Sequence, residues 1–143
     1  MPTVERTFPV APPPAEVIAY LMDFARAQEW DPGTQSCTQT SPGPVAVGTR
    51  WHNVSKIAGV KAELDYELTE LTDDRLVLVG TNKRSTSTDT ISVRPAGTGS
   101  EITYHADLEM KGAAALIAPV MKVVFERLAN HTVKQLTDVL SRR

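Results

Sequence analysis

Cysteine is almost missing from this 143-residue chain, Cys37 being the single example. One thiol excludes an internal disulfide framework and a cysteine-built zinc module, and it suits a reducing compartment. Histidine is nearly as scarce. His52, His105 and His131 show no His-x-x-x-His or Glu-x-x-His spacing that would set two ligands on one face. They read as surface or flanking residues, and no metal is expected. Positive charge is not in excess either: 15 Lys and Arg stand against 17 Asp and Glu, for a net charge of −2. No basic run exceeds two residues, the terminal pair Arg142-Arg143 among them. Nucleic-acid binding needs a basic stripe, so no nucleic-acid partner is expected. There is no run of about 18 apolar residues, which argues against stable membrane insertion. The opening residues lack a basic head followed by an apolar stretch, so the expected location is cytoplasmic. No Gly-x-Ser-x-Gly elbow occurs, and Gly97-Thr98-Gly99 precedes a strand rather than a helix. Neither an activated serine nor a phosphate cradle follows, and no cofactor is expected.

What is present is an ordinary globular balance, 41% hydrophobic and 22% charged. A chain of this length buries roughly two-thirds of its extended surface, enough for one core and one domain over residues 1–143. No repeat, low-complexity tract or linker divides it. A strand-like run, Thr3 to Val10, ends at Pro12-Pro13-Pro14. Val17, Ile18, Leu21 and Met22 then recur at helical spacing and predict a short helix over about Ala15 to Met22, entered by Pro14. Asp23 to Trp30 predicts a second short helical piece, stopped by Asp31-Pro32-Gly33.

From Thr34 to Met110 the pattern becomes β, punctuated by Pro42-Gly43-Pro44, Ala58-Gly59 and Ala96-Gly97-Thr98-Gly99. Val60, Ala62, Leu64, Tyr66 and Leu68 alternate with Lys61, Glu63, Asp65 and Glu67. Ile102, Tyr104, Ala106, Leu108 and Met110 repeat the alternation, and Arg75–Thr81 and Ser85–Arg94 lie between. Each strand then has one dry and one wet face, as in an antiparallel sheet covered on one side. Beyond Met110 the period lengthens. Leu116, Ile117, Val120, Met121, Val124, Phe125, Leu128, Leu136, Val139 and Leu140 predict one amphipathic helix over about Ala113 to Ser141, which either begins or bends at Pro119. At ~1.5 Å per residue it is roughly 40 Å long and crosses a whole sheet. The class is α+β.

One strand, two short helices, six strands and a long terminal helix is the plan of the helix-grip fold. Pro13-Pro14-Ala15-Glu16-Val17 through Asp23-Phe24, the turn Trp30-Asp31-Pro32-Gly33, the hairpin Gly43 to Trp51 and the turn Gly97 to Tyr104 stand in the order found in one superfamily. Through them the whole chain resembles the START-like superfamily, in particular its bacterial polyketide cyclase/dehydrase and lipid-transport group. The resemblance implies a curved antiparallel sheet of about seven strands wrapped around a long C-terminal helix, with two short helices after the first strand. It also implies a cavity between sheet and helix that takes a lipid, sterol or polyketide-like molecule.

Strand parity nominates the lining. Trp51 sets the dry face of its strand and brings Asn53 and Ser55 to the same side; Ile91 and Val93 do so for Asp89 and Ser87. Tyr66 and Tyr104 fall within dry stripes. The candidate ligand-binding set from the sheet is Trp51, Asn53, Leu64, Tyr66, Leu78, Asp89, Ile91, Tyr104, Ala106 and Leu108. The helix adds Leu116, Ile117, Val120, Met121 and Val124, because the resemblance places the cavity under the half nearest Pro119. Each polar member also has a plainer reading, as a core residue with its polar tip at the rim or beyond a β-bulge. Cys37 reads as a buried strand residue. A carrier of a hydrophobic small molecule leads. The alternative is a polyketide cyclase, aromatase or dehydratase working by acid–base chemistry, with Asp89 as base. An interaction module without a ligand has no positive support, and a homodimer through a sheet edge or the terminal helix is left open.

Overall fold

A computed structural model of the protein describes residues 3–57 and 59–142. Ala58 of the expected Ala58-Gly59 turn, Arg143 of the basic pair, and Met1 and Pro2 lie outside them. Strand β1 (Thr3–Val10) leads into helix α1 (Pro14–Leu21), a 3-10 turn (Phe24–Arg26) and helix α2 (Ala27–Trp30). Six strands follow: β2 (Thr34–Gln39), β3 (Arg50–Ile57), β4 (Val60–Leu71), β5 (Arg75–Thr81), β6 (Ser85–Ala96) and β7 (Gly99–Met110). A second 3-10 segment (Gly112–Ile117) runs into helix α3 (Ala118–Ser141).

Helix α1 starts where proline permits it. Pro13 is extended at ψ 162° and Pro14 occupies the first turn, where no amide hydrogen is needed. Helix α3 starts the same way at Pro119, later than the periodicity predicts. The six residues before it are wound as 3-10 helix instead. Gly112, at φ 58°, makes the turn from β7 into that segment, a conformation glycine takes without a Cβ clash.

The strands form one open antiparallel sheet in the order β1-β7-β6-β5-β4-β3-β2. From β2 to β7 it is a meander of neighbouring strands. Strand β1 is the exception: it crosses to pair with β7, from Thr3 opposite Asp107 to Val10 opposite Ser100. Gly99 permits this corner, since a Cβ there would lie 2.4 Å from the Val10 carbonyl oxygen. Helices α1 and α2 carry the chain from one sheet edge to the other. Helix α3 lies against β1 and α2, and Arg6 pins it by donating to Glu126 Oε2 (2.6 Å) and Asn130 Oδ1 (3.0 Å).

The core is concentrated under the C-terminal half of α3. Leu136 and Leu140 meet Leu21, Phe24, Trp30, Trp51, Leu68, Leu76, Leu78, Ile91 and Ile102, all fully buried. Phe24 packs on Tyr66, Trp51 and Trp30 with ring centroids 4.7, 5.9 and 6.2 Å apart. Such edge-on and tilted aromatic contacts add to the area they bury. Among the described residues, no helix is long and apolar enough to cross a membrane.

Candidate functional site

Under the other half of α3 the sheet and helix separate around a cavity of about 990 Å3. Its walls are Ile57, Leu64, Leu108 and Met110 from the sheet and Met121, Phe125 and Leu128 from α3. The space exists because the strands change side-chain size along their inward faces. Strand β3 runs from Trp51 to Asn53 and Ser55, and β6 from Ile91 to Asp89 and Ser87. Strand β7 runs from Ile102 through Tyr104 to Ala106, and β4 from Leu68 to Ala62. Along most of this stretch the small side chains stop short of the helix and a gap stays open, although Ala106 packs with Val4 and with Ala129 of α3 in a small second cluster.

At its buried end the cavity carries a polar cluster: Asp31, Asn53, Ser55, Tyr66, Ser87, Asp89 and Tyr104. Asn53 Nδ2 donates to Thr34 Oγ1 (3.0 Å), and that hydroxyl donates to Asp31 Oδ2 (2.8 Å). The Gly33 amide donates to Asp31 Oδ1 (3.1 Å). Even so, burial raises the Asp31 carboxyl above its ordinary range, outweighing those hydrogen bonds. Asp89, opposite Leu78 and Ala106 in the sheet, is pushed up to about 7. Burial is the main cause and the nearby Asp31 charge adds to it, while a hydrogen bond from Tyr104 opposes both. Burial also holds the Tyr66 and Tyr104 hydroxyls well above the usual phenol range, with the charge of Asp89 next in size, so both remain donors. Tyr66 depends on a glycine. It is paired with Gly80, where a Cβ would stand 2.6 Å from the ring. The ring lies across that gap and its hydroxyl reaches Ser87 on the next strand.

Nine of the fifteen candidate residues line this cavity: Asn53, Leu64, Tyr66, Asp89, Tyr104, Ala106, Leu108, Ile117 and Met121. Trp51, Leu78 and Ile91 share the inward face but belong to the packed core, because alternation fixes the face and not the position along the strand. Leu116 and Val120 lie outside the lining. They are 84% and 65% exposed and point to solvent. The segment is apolar nearly all round, so its period could not separate the face toward the sheet from the face away from it. Val124 is half-buried and lies outside the lining as well.

Asp31 escaped sequence reasoning because its turn announces only a chain reversal. Ser55 and Ser87 were legible by parity beside Asn53 and Asp89. Phe125 and Leu128 sit on the same helical stripe as Met121. Cys37 is buried, and burial is the main cause that raises its thiol to about 11, which disfavours the thiolate at neutral pH. His52 is bound by Asp65 (2.8 Å) and Glu63 (2.9 Å), and His105 by Glu5 and Asp107 (both 3.2 Å), on the outer face of the sheet. His131 is exposed on α3.

This geometry has counterparts among known proteins. The pattern of a family described as polyketide cyclase / dehydrase and lipid transport matches residues 1–141. No curated protein matches the sequence. A START superfamily protein from Mycobacterium smegmatis superposes with a TM-score of 0.82 at 15% identity, covering 98% of this chain and 97% of that one. The Zhui aromatase/cyclase from Streptomyces sp. R1128 gives 0.82 at 14% identity, covering 99% and 94%. A protein of Thermus thermophilus gives 0.81 at 16% identity, covering 96% and 95%. At these identities the likeness concerns the fold.

Proposed function

The chain belongs to the polyketide cyclase / dehydrase and lipid transport family, and from that premise we propose that it binds and carries a hydrophobic small molecule between sheet and α3. The observation that carries this reading is the cavity itself. Its volume, about 990 Å3, is at the upper end of the range of small-molecule sites, and its apolar walls enclose a few convergent polar groups. An apolar body fits the walls, while hydroxyl or carbonyl oxygens can meet Asn53, Tyr66, Ser87 and Tyr104 at the buried end. Lipids, sterols and polyketides all have this make-up. The single buried thiol suits a cytoplasmic setting.

The test is native mass spectrometry together with a thermal-shift panel of a long-chain fatty acid, a sterol and an aromatic polyketide. A ligand at 100 times its Kd stabilises by about 2.7 kcal/mol, which moves the Tm by several degrees. Ala106→Phe, placed inside the cavity, should abolish the shift. A panel that yields neither adducts nor shifts would remove the carrier reading.

A second reading, the polyketide cyclase, aromatase or dehydratase, is favoured by one observation. Asp89, held near 7 beside the Tyr104 hydroxyl, lies in the range where a carboxyl can both take and return a proton at neutral pH. The Zhui protein is named an aromatase/cyclase. Turnover of a poly-β-ketone that survives both Asp89→Asn and Tyr104→Phe would exclude it.

A further inference from the structure

We propose that the mouth of the cavity docks onto an anionic lipid bilayer. Two kinds of surface meet at this opening. On one side lie the start of β4, the β5–β6 turn and the end of β7. They bring Lys61, Lys83, Arg84 and Lys111 to the cavity rim, all exposed. The grouping is built in: the Lys111 amide donates to the Arg84 carbonyl (2.8 Å), and Asn82 Nδ2 donates to the Glu63 carbonyl (3.0 Å). Among the described residues none of these four cations forms an ion pair. Glu63, the acid on the same rim, is engaged by His52.

On the other side the start of α3 and the turn before it turn Leu116, Val120 and Val123 to solvent, with spacing of four and three residues. Val60, 65% exposed, adds an apolar side chain beside Lys61 at the start of β4. A ligand inside the cavity cannot reach these outward residues, so the occupant is external. It must be apolar and negatively charged over adjoining areas. An anionic bilayer offers acyl chains to the aliphatic row and phosphates to the cations, each cation adding to surface affinity. The net charge of −2 makes the local basic rim, rather than the molecule as a whole, the feature attracted to the surface. Docked this way, the cavity opens toward the bilayer. The proposal does not depend on which molecule the cavity holds.

The test is flotation with vesicles of phosphatidylcholine alone and of phosphatidylcholine with phosphatidylglycerol, at low and at 0.5 M salt. Partitioning onto the anionic vesicles at low salt is expected, falling at least about tenfold on pure phosphatidylcholine and about tenfold in K83E/R84E. L116S/V120S should lose a similar factor. All four positions are exposed, so circular dichroism and the Tm of the ligand-free protein should stay as in the parent. No binding to anionic vesicles, equal binding to both compositions, or binding unchanged in either double variant would overturn the proposal. Light scattering supplies a further overturning result: a dimer that L116S/V120S converts to monomer, without vesicle binding, makes the face a contact between two copies.

Discussion

The two ends of helix α3 cover the same sheet with opposite results. Toward its C-terminus Leu136 and Leu140 meet Trp51, Leu68, Leu78 and Ile91, with no accessible surface left on any of them. Toward its N-terminus Met121, Ala62, Ser55 and Ser87 line open space, and a small second cluster of Val4, Ala106 and Ala129, with Phe125 packed against it, forms part of the wall. Inward alternation runs through both halves, although register shifts interrupt the β2–β3 ladder at Thr34/Ser36 and the β4–β5 ladder at Leu68/Glu70. Side-chain size differs between them. Alternation decides which residues face inward, and volume decides whether they touch. A run of small and polar residues on the inward face leaves a gap that large ones would close.

Matched substitutions in the two halves can break that contrast. Leu136→Ala should cost about 2–5 kcal/mol by leaving a void in a filled core, while Met121→Ala should cost less than about 1 kcal/mol because its surroundings are already open. Equal losses in chemical denaturation would mean the hollow end is packed in solution. Asp89→Asn has the opposite sign. The folded carboxyl titrates near 7 rather than at its ordinary 3.8, so stability present below about pH 4 is lost as pH rises to about 7. Removing the charge should stabilise the protein at pH 8, by up to the order of 4 kcal/mol, and do nothing at pH 4. A pH-independent change in Tm would show that Asp89 is not buried as described. Ala27→Leu, in the filled half, should cost about 1–3 kcal/mol by overpacking. Ala62→Leu, in the hollow half, should cost less than about 1 kcal/mol. Comparable Tm losses for this pair would erase the distinction.

Much of this was legible beforehand. The limits of β1 and β5 coincide with the predicted runs, and period-2 patterning turned Asn53, Tyr66, Asp89 and Tyr104 inward as observed. What stayed hidden has identifiable physical causes. Depth along a strand is set by the register of all seven strands, so Trp51, Leu78 and Ile91 could not be told from cavity residues by alternation. Leu116 and Val120 lie in a segment with apolar residues on two faces, and only contact with the sheet separates them. The cationic rim comes from separate turns, scattered in the sequence and adjacent only once the hairpins have formed. Gly80, within the Arg75–Thr81 run, carries no sequence signal for its role as the gap over which Tyr66 reaches Ser87.

The crossing of β1 has a consequence for how the molecule assembles. Every other pairing joins neighbours in the chain, so β2 to β7 can zip hairpin by hairpin. Thr3 and Asp107, bonded at 2.7 Å, stand 104 positions apart. Closing so long a loop carries an entropic cost that local hairpins avoid, which makes such contacts slow to form. During synthesis β1 is therefore made first and used last. Until β7 emerges it has no partner strand, and α3, made later still, packs on β1 and on its Arg6. The pairing of the first strand and the docking of the last helix are thus the long-range contacts that complete the fold.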